Sequence, residues 1–195
     1  MAVIVLPLHQ HDLSPIDRHK IVETVCSWEK MEYGEGNHRT SDNLYICIQK
    51  NDTGFFCAIE DGVLLGYADV WQLQTKFYDR LVLGVSAEEE IAPEHILRVE
   101  NEGSSCWYIG SIITRPTLRQ EREMKAALVF SKICNEISNH FSNTLCPARI
   151  LGVGSTVFGN KLLRRHGFLP VTPSPIAIDL RPRYEKTLAF ESDSV

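Results

Sequence analysis

The chain lacks the marks of several large classes of protein. No apolar run approaches the ~20 residues of a membrane-spanning helix, so no helical membrane protein is expected. The opening "MAVIVLPLHQ" has neither the basic start nor the length of a secretion signal, so a cytoplasmic location is expected. A basic excess is missing too. Lys and Arg number 20 against 25 Asp and Glu, and the net charge of −5 argues against nucleic-acid binding as the main activity. Cys26, Cys47, Cys57, Cys106, Cys134 and Cys146 form no C-x-x-C pair, and most sit in apolar stretches. They are expected as reduced, buried thiols rather than as a disulfide framework. No internal repeat or low-complexity segment occurs. His9 and His11 could share one strand face, but no metal site is expected there.

What remains is an ordinary globular composition, 44% apolar and 23% charged over 195 residues, enough for one domain over 1–190 and a disordered tail over 191–195. "AVIVLPL" reads as a first strand. Ser14, Pro15 and Asp17 form a helix start, followed by an apolar stripe of Ile21, Val22, Val25 and Trp28. Residues 33–43 read as a loop. The stretch from Asn43 to Leu73 reads as an antiparallel meander, with turns at Asn51 to Gly54 and at Asp61-Gly62. A strand over Leu81–Val85 and a short helix over Pro93–Val99 are expected next. "CWYIGSIIT" reads as a buried central strand. A helix over Gln120–Phe141 follows, with Met124, Ala127, Leu128, Cys134, Ile137 and Phe141 on its inner side. "RILGVGS" is a further strand, "TVFGNKLLRRHG" a short helix, and "FLPV" with "SPIAIDL" a closing pair of strands. This order implies an α+β fold, a mixed sheet covered by helices.

The segment "ITRPTLRQEREMKAALVF" joins the central strand to a helix through a proline. Between residues 115 and 125 it carries Arg115, Arg119, Arg122 and Lys125 against Glu121 and Glu123, a basic patch in an acidic chain. Read alone, it is a charged helix start. Together, "WYIGSIITRPTLRQEREMKAAL" and "RILGVGSTVFGNKLLRRHGFLPV", in that order and after "GVLLGYADV", resemble the GNAT superfamily of N-acyltransferases. The former is similar to that family's central strand, proline turn and donor-binding helix. The latter is similar to its following strand and short helix with a Gly-Phe ending. The resemblance covers most of residues 55–171. It implies a mixed, mostly antiparallel sheet flanked by helices, and transfer of an acyl group from acyl-CoA or an acyl-phosphopantetheine carrier protein to an amine, with no metal.

By that resemblance, Ile112, Ile113 and Thr114 offer backbone groups to the pantetheine. Residues Arg119, Gln120, Glu121, Arg122, Glu123, Met124 and Lys125 form the phosphate turn. Thr156 stands where an asparagine commonly meets the pantetheine. Glu100, Glu102 and Tyr108 occupy the region that supplies a base. The chain departs from the pattern in two places. The glycine positions of the turn fall on Arg122 and Met124, so basic side chains would replace a backbone nest. Leu163 stands where a tyrosine often protonates the leaving thiolate. Those departures also fit a catalytically silent relative that binds a ligand or protein, or an interaction protein docking an acidic partner on the basic patch. His166 reads as a helix C-terminal cation, and Cys106 has no assignable histidine partner.

Overall fold

A computed structural model describes residues 3–34, 40–98, 106–121, 123–142 and 148–188, with the main chain alone at 119–121 and 142. Its strands are β1 (Ile4–Pro7), β2 (Phe55–Glu60), β3 (Val63–Gln72), β4 (Cys106–Thr114), β5 (Ala148–Val153), β6 (Leu169–Val171) and β7 (Arg183–Leu188). Its helices are α1 (Pro15–Tyr33), α2 (Ser41–Lys50), α3 (Thr75–Leu83), α4 (Pro116–Glu121), α5 (Glu123–Ser142) and α6 (Val157–Arg165). The strands form one seven-stranded sheet in the order β1-β2-β3-β4-β5-β7-β6. β4 and β5 are parallel, while β1–β2, β2–β3, β5–β7 and β6–β7 are antiparallel. The expected mixed, mostly antiparallel α+β sheet with flanking helices is what the chain forms.

The chain divides into two compact units, one of residues 1–70 and 111–142 and the other of 71–110 and 143–195. In the first, Ser14 caps α1 by accepting the Asp17 amide, and Pro15 occupies the first helical turn. Val22, Val25, Cys26, Trp28 and also Glu29 make its buried side. Asp61 and Gly62 turn the β2–β3 hairpin with φ of 53° and 76°. Both values lie in the left-handed region, which glycine enters without steric cost. Gly66 of β3 is a site of close approach. A Cβ there would lie 3.0 Å from the Ile113 carbonyl and from Val129 and Ile133 of α5.

The helical face of α5 differs from the expectation. Ala126, Val129, Ile133, Ile137 and Phe141 are buried, whereas Met124 is 88% exposed and Leu128 51%. The helix is apolar around much of its circumference, and its inner face begins at Ala126, two residues after the larger Met124. Helical structure also begins at Pro116 rather than Gln120. Residues 33–43 are not one loop, because α1 continues to Tyr33 and Thr40 caps α2 through the Asn43 amide. The first part of the expected meander is therefore helix. Leu44, Cys47 and Ile48 recur at helical spacing and are buried, which outweighs the β-branched, aromatic look of "LYICI".

In the second unit, the expected strand at Leu81–Val85 is the end of α3. Phe77, Tyr78, Leu81 and Val82 bury one face of that helix, and Gly84 ends it. Pro93–His95 forms only a single tight turn, after which Ile96 bridges to Leu73. β4 pairs with β5 from Cys106 opposite Arg149 to Ile109 opposite Gly152. The closing strand is not "SPIAIDL" but Arg183–Leu188, which pairs along β5 from Val153 to Ala148. Pro173 and Pro175 remove amides that a ladder would need. The segment instead docks on the end of α3, with the Ser174 amide on Leu83 O at 2.9 Å and the Ile178 amide on Gly84 O at 2.9 Å.

Candidate active site

β4 carries several of the candidate residues, and its backbone slips by one residue. The Leu73 amide, just beyond β3, donates to Cys106 O at 2.9 Å, and the Arg115 amide donates to Leu65 O at 2.8 Å. Residues joined this way in an antiparallel ladder lie directly opposite one another. Eight steps of chain lead from Leu65 to Leu73, but nine lead from Cys106 to Arg115. β4 therefore holds one extra residue, a β-bulge. Main-chain groups alternate sides along a strand. From the Arg115 anchor, residues 111 and 113 face β3, and Ile112 and Thr114 direct their N–H and C=O groups away from it.

Ser111 lies between these two anchors. Its amide donates to Asp69 Oδ1 at 2.6 Å, and its hydroxyl donates to Glu29 Oε1 at 3.1 Å. The Tyr67 hydroxyl donates to the same Glu29 oxygen at 2.8 Å. Glu29 is 3% exposed, and Asp69 and Tyr67 are 0% exposed. Burial, then the charges of Glu29 and Asp69, hold the Tyr67 phenol well above its ordinary range. Neither acid is among the candidates read from the sequence. Glu29 falls on the buried stripe of α1, seven residues after Val22, and Asp69 is the one acid inside the apolar run of β3. An acid at an apolar position was the signal that could have found them.

The turn after β4 is helical. Pro116 opens α4, the Leu118 amide donates to Arg115 O at 3.0 Å, and Leu118 is buried. Arg119, Gln120 and Glu121 contribute helical main chain, and Arg122 lies outside the described residues. Glu123 and Met124 are exposed at the start of α5, and Lys125 is paired with the carboxylate of Glu60. Ile113 and Thr114 are buried, and Ile112 is half-buried.

In the second unit, the Tyr108 hydroxyl donates to Glu88, a carboxylate that also takes Arg181. Arg181 reaches Glu89 and Asp179, each at 2.9 Å. Arg183 is 3% exposed and donates to Leu81 O at 2.7 Å, Asp179 O at 2.6 Å and Arg181 O at 2.8 Å. Burial pushes the Asp179 carboxyl up. Hydrogen bonds from Arg181 and the charges of Arg181 and Arg183 outweigh that and leave it below the ordinary range. Tyr108 is thus tied into an ion network, while Glu100 and Glu102 lie outside the described residues.

Thr156 caps α6, its hydroxyl accepting the Gly159 amide at 3.0 Å, and Asn160 Nδ2 donates to Thr156 O at 2.9 Å. Leu163 is buried against Gly152 of β5, where an added Cβ would fall 2.6 Å from its methyl. His9 and His11 donate ring N–H groups to the carbonyls of Asp52 and Cys57, both at 3.0 Å. No group of three or more His, Cys, Asp or Glu able to hold a metal occurs among the described residues. Burial raises the Cys57 thiol, and that of Cys134 to about 11, which holds both as protonated thiols. No helix among the described residues is long and apolar enough to cross a membrane.

The mixed seven-stranded sheet with flanking helices has the fold of solved GNAT-family acetyltransferases. No protein-family model and no curated protein sequence matches the chain. Among solved structures, it is similar to a GNAT-family acetyltransferase from Staphylococcus aureus Mu50, with 11% identity and a TM-score of 0.56 over 96% of this chain and 99% of that one. It is similar to a GNAT-family acetyltransferase from Brucella melitensis in complex with acetyl-CoA, with 14% identity and a TM-score of 0.52 over 97% and 88%. N-acetylglutamate synthase from Neisseria gonorrhoeae, complexed with coenzyme A and N-acetyl-glutamate, gives 13% identity and a TM-score of 0.55. That match covers 96% of this chain but spans only 35% of the synthase.

Proposed function

We propose that the chain is an N-acyltransferase that moves an acyl group from a phosphopantetheine thioester to an amine. The observation that carries this reading is the slip in β4. It turns the main-chain groups of Ile112 and Thr114 away from β3, as pairing with the amides of a pantetheine arm requires. Solved structures of the same fold with coenzyme A or acetyl-CoA support a thioester donor. The acceptor amine sheds a proton, and its lone pair attacks the thioester carbonyl carbon. The C–N bond forms, the C–S bond breaks, and the sulfur leaves as a thiolate that takes up a proton. Glu100 and Glu102, which lead into β4, are proposed as the proton acceptor, with Tyr108 as the hydroxyl on the strand itself. Arg119, Gln120, Glu121, Arg122, Glu123, Met124 and Lys125 are proposed to hold the donor's phosphate. Thr156 is proposed as a pantetheine contact by the family resemblance alone. The donor is acyl-CoA or a carrier-bound acyl group, and the smaller charge of a carrier's single phosphodiester suits a turn without glycine.

A second reading, a silent module that binds a ligand or protein, is favoured by Leu163, whose side chain packs on β5 where the family places an acid. Thermal denaturation separates the two, since a ligand selective for the native state must raise the melting temperature. Acetyl-CoA, longer acyl-CoAs and an acylated carrier protein are titrated in turn. Stabilisation by one of them, followed by amide formation with an amine panel, is the expected result. Indifference to every thioester selects the silent module.

A further inference from the structure

The Arg115–Leu65 anchor places Asp69 directly opposite Ser111, four residues along on each strand. In an unbroken ladder the Ser111 amide would take the main-chain carbonyl of Asp69. It takes the Asp69 carboxylate instead, at 2.6 Å. An extra residue leaves an amide without a ladder partner, and a buried amide must find another acceptor. The side chain of Asp69 supplies it where the ladder breaks. From α1, Glu29 holds the hydroxyl of the same residue, and Tyr67 fixes Glu29 in turn. One residue of the central strand is thus gripped at two atoms by two buried carboxylates from different elements.

We infer that Asp69 and Glu29 are positioning residues that fix the slip of β4 at Ser111, and through it the direction in which Ile112 and Thr114 present their main-chain groups to an acyl donor. The role in donor binding rests on the acyltransferase reading; the clamp on Ser111 does not. Strand alternation has a period of two, so moving the slip one residue along exchanges the groups that face β3 with those that face away. A carboxylate suits the task because its hydrogen bond from an amide is charge-assisted and stronger than a neutral one. An aliphatic side chain at position 69 offers no acceptor and would let the slip migrate.

The test compares Asp69→Asn, whose Oδ1 still accepts an amide, with Asp69→Leu, which has no acceptor. Hydrogen exchange at the Ser111 amide reads the clamp, and kinetics with varied donor and saturating amine read its consequence. The Ser111 amide is expected to be protected in wild type and Asp69→Asn, and to exchange about tenfold faster or more in Asp69→Leu. Donor kcat/KM is expected to fall about a hundredfold in the leucine variant, as for a misplacement near 1 Å, with the acceptor KM little changed and most of the loss recovered by asparagine. A purely structural role lowers the melting temperature and leaves the donor KM in place. Donor kcat/KM within about twofold of wild type, in a folded Asp69→Leu whose Ser111 amide has lost protection, overturns the inference and leaves the acyltransferase reading standing. Wild-type protein that binds and turns over no thioester overturns that reading and the positioning role with it. If Asp69→Leu does not fold, Asp69→Ala, smaller and likewise without an acceptor, makes the same comparison.

Discussion

Glu29 and Asp69 are held by hydroxyls and a main-chain amide, whereas Asp179, Glu88 and Glu89 are held by the guanidinium groups of Arg181 and Arg183. The first pair lies in the unit that contains Ser111, the second set in the unit that contains α3 and β7. Carboxylates paired with arginine fasten one segment to another, because the planar fork bonds carboxylates and carbonyls together. Here Arg183 fastens residues 179–181 to the end of α3 through three carbonyls and Asp179. Carboxylates that take hydroxyls and an amide meet more of the cost of desolvation themselves. That arrangement is suited to a position where a main-chain group must point one way. The network of the second unit is therefore mainly a matter of stability, and the clamp of the first a matter of geometry.

Removing the fork breaks this comparison most visibly. Arg183→Met leaves Asp179 buried beside one arginine fewer and withdraws the donor from the carbonyls of Leu81, Asp179 and Arg181. Breaking a buried ion pair from one side costs about 3–5 kcal/mol, and that loss is expected in urea denaturation. Hydrogen exchange then assigns the loss to a unit. The amides of α3 and of Ser174, Ile178 and Asp179 are expected to lose protection, and those of α1 to keep it.

The two clusters also differ in how far the sequence discloses them. Helix starts with a capping hydroxyl and a proline, as at Ser14-Pro15, are legible because local chemistry alone decides them. The Asp61-Gly62 hairpin and the strand-to-helix passage at Pro116 are legible for the same reason. α2, α3 and β7 are not. "LYICI" and "LVLGV" have strand-like composition, and only burial of Leu44, Cys47 and Ile48, or of Phe77, Tyr78, Leu81 and Val82, makes them helices. "SPIAIDL" has strand-like alternation, but two prolines and the pull of the α3 carbonyls keep it out of the sheet. Within the candidate site, the strand and turn were visible in the residue pattern, whereas Glu29 and Asp69 were hidden by the apolar company that gives them their role. Lys125 reads from sequence as a phosphate ligand, yet Glu60, 65 residues earlier, takes it up.

A smaller effect is expected from Tyr67→Phe, which keeps the ring, stacked on Phe55 at 5.7 Å between centroids, and removes one of the hydroxyls that bond Glu29. Weakening the satisfaction of a buried carboxylate costs about 1–3 kcal/mol. The loss should be accompanied by a change at the Ser111 hydroxyl, which retains its bond to the same Glu29 oxygen. If the comparison between the units holds, Tyr67→Phe raises the donor KM although the phenol touches no donor, and Arg183→Met lowers stability more while leaving the donor KM unmoved. Equal effects of the two substitutions on donor KM would erase the distinction between a fastening network and a positioning clamp.

The smallest expected effect concerns Thr156, where stability and ligand binding make competing demands on one hydroxyl. That hydroxyl accepts the Gly159 amide at 3.0 Å and so serves as the cap of α6. Loss of such a cap in Thr156→Ala costs about 1 kcal/mol. Asparagine is as good a cap as threonine or better, and it carries an amide group that can bond a ligand while its oxygen holds the helix. Thr156→Asn is therefore expected to melt within a few degrees of wild type, a shift of the size that about 0.5 kcal/mol produces. If the hydroxyl is fully committed to the cap, Thr156→Ala lowers stability without altering the donor KM, and Thr156→Asn lowers the donor KM by adding a contact. If the hydroxyl also meets the pantetheine, Thr156→Ala raises the donor KM at a temperature where the fold is intact. The first outcome places Thr156 with the fastening groups of its unit, and the second makes it the exception among them.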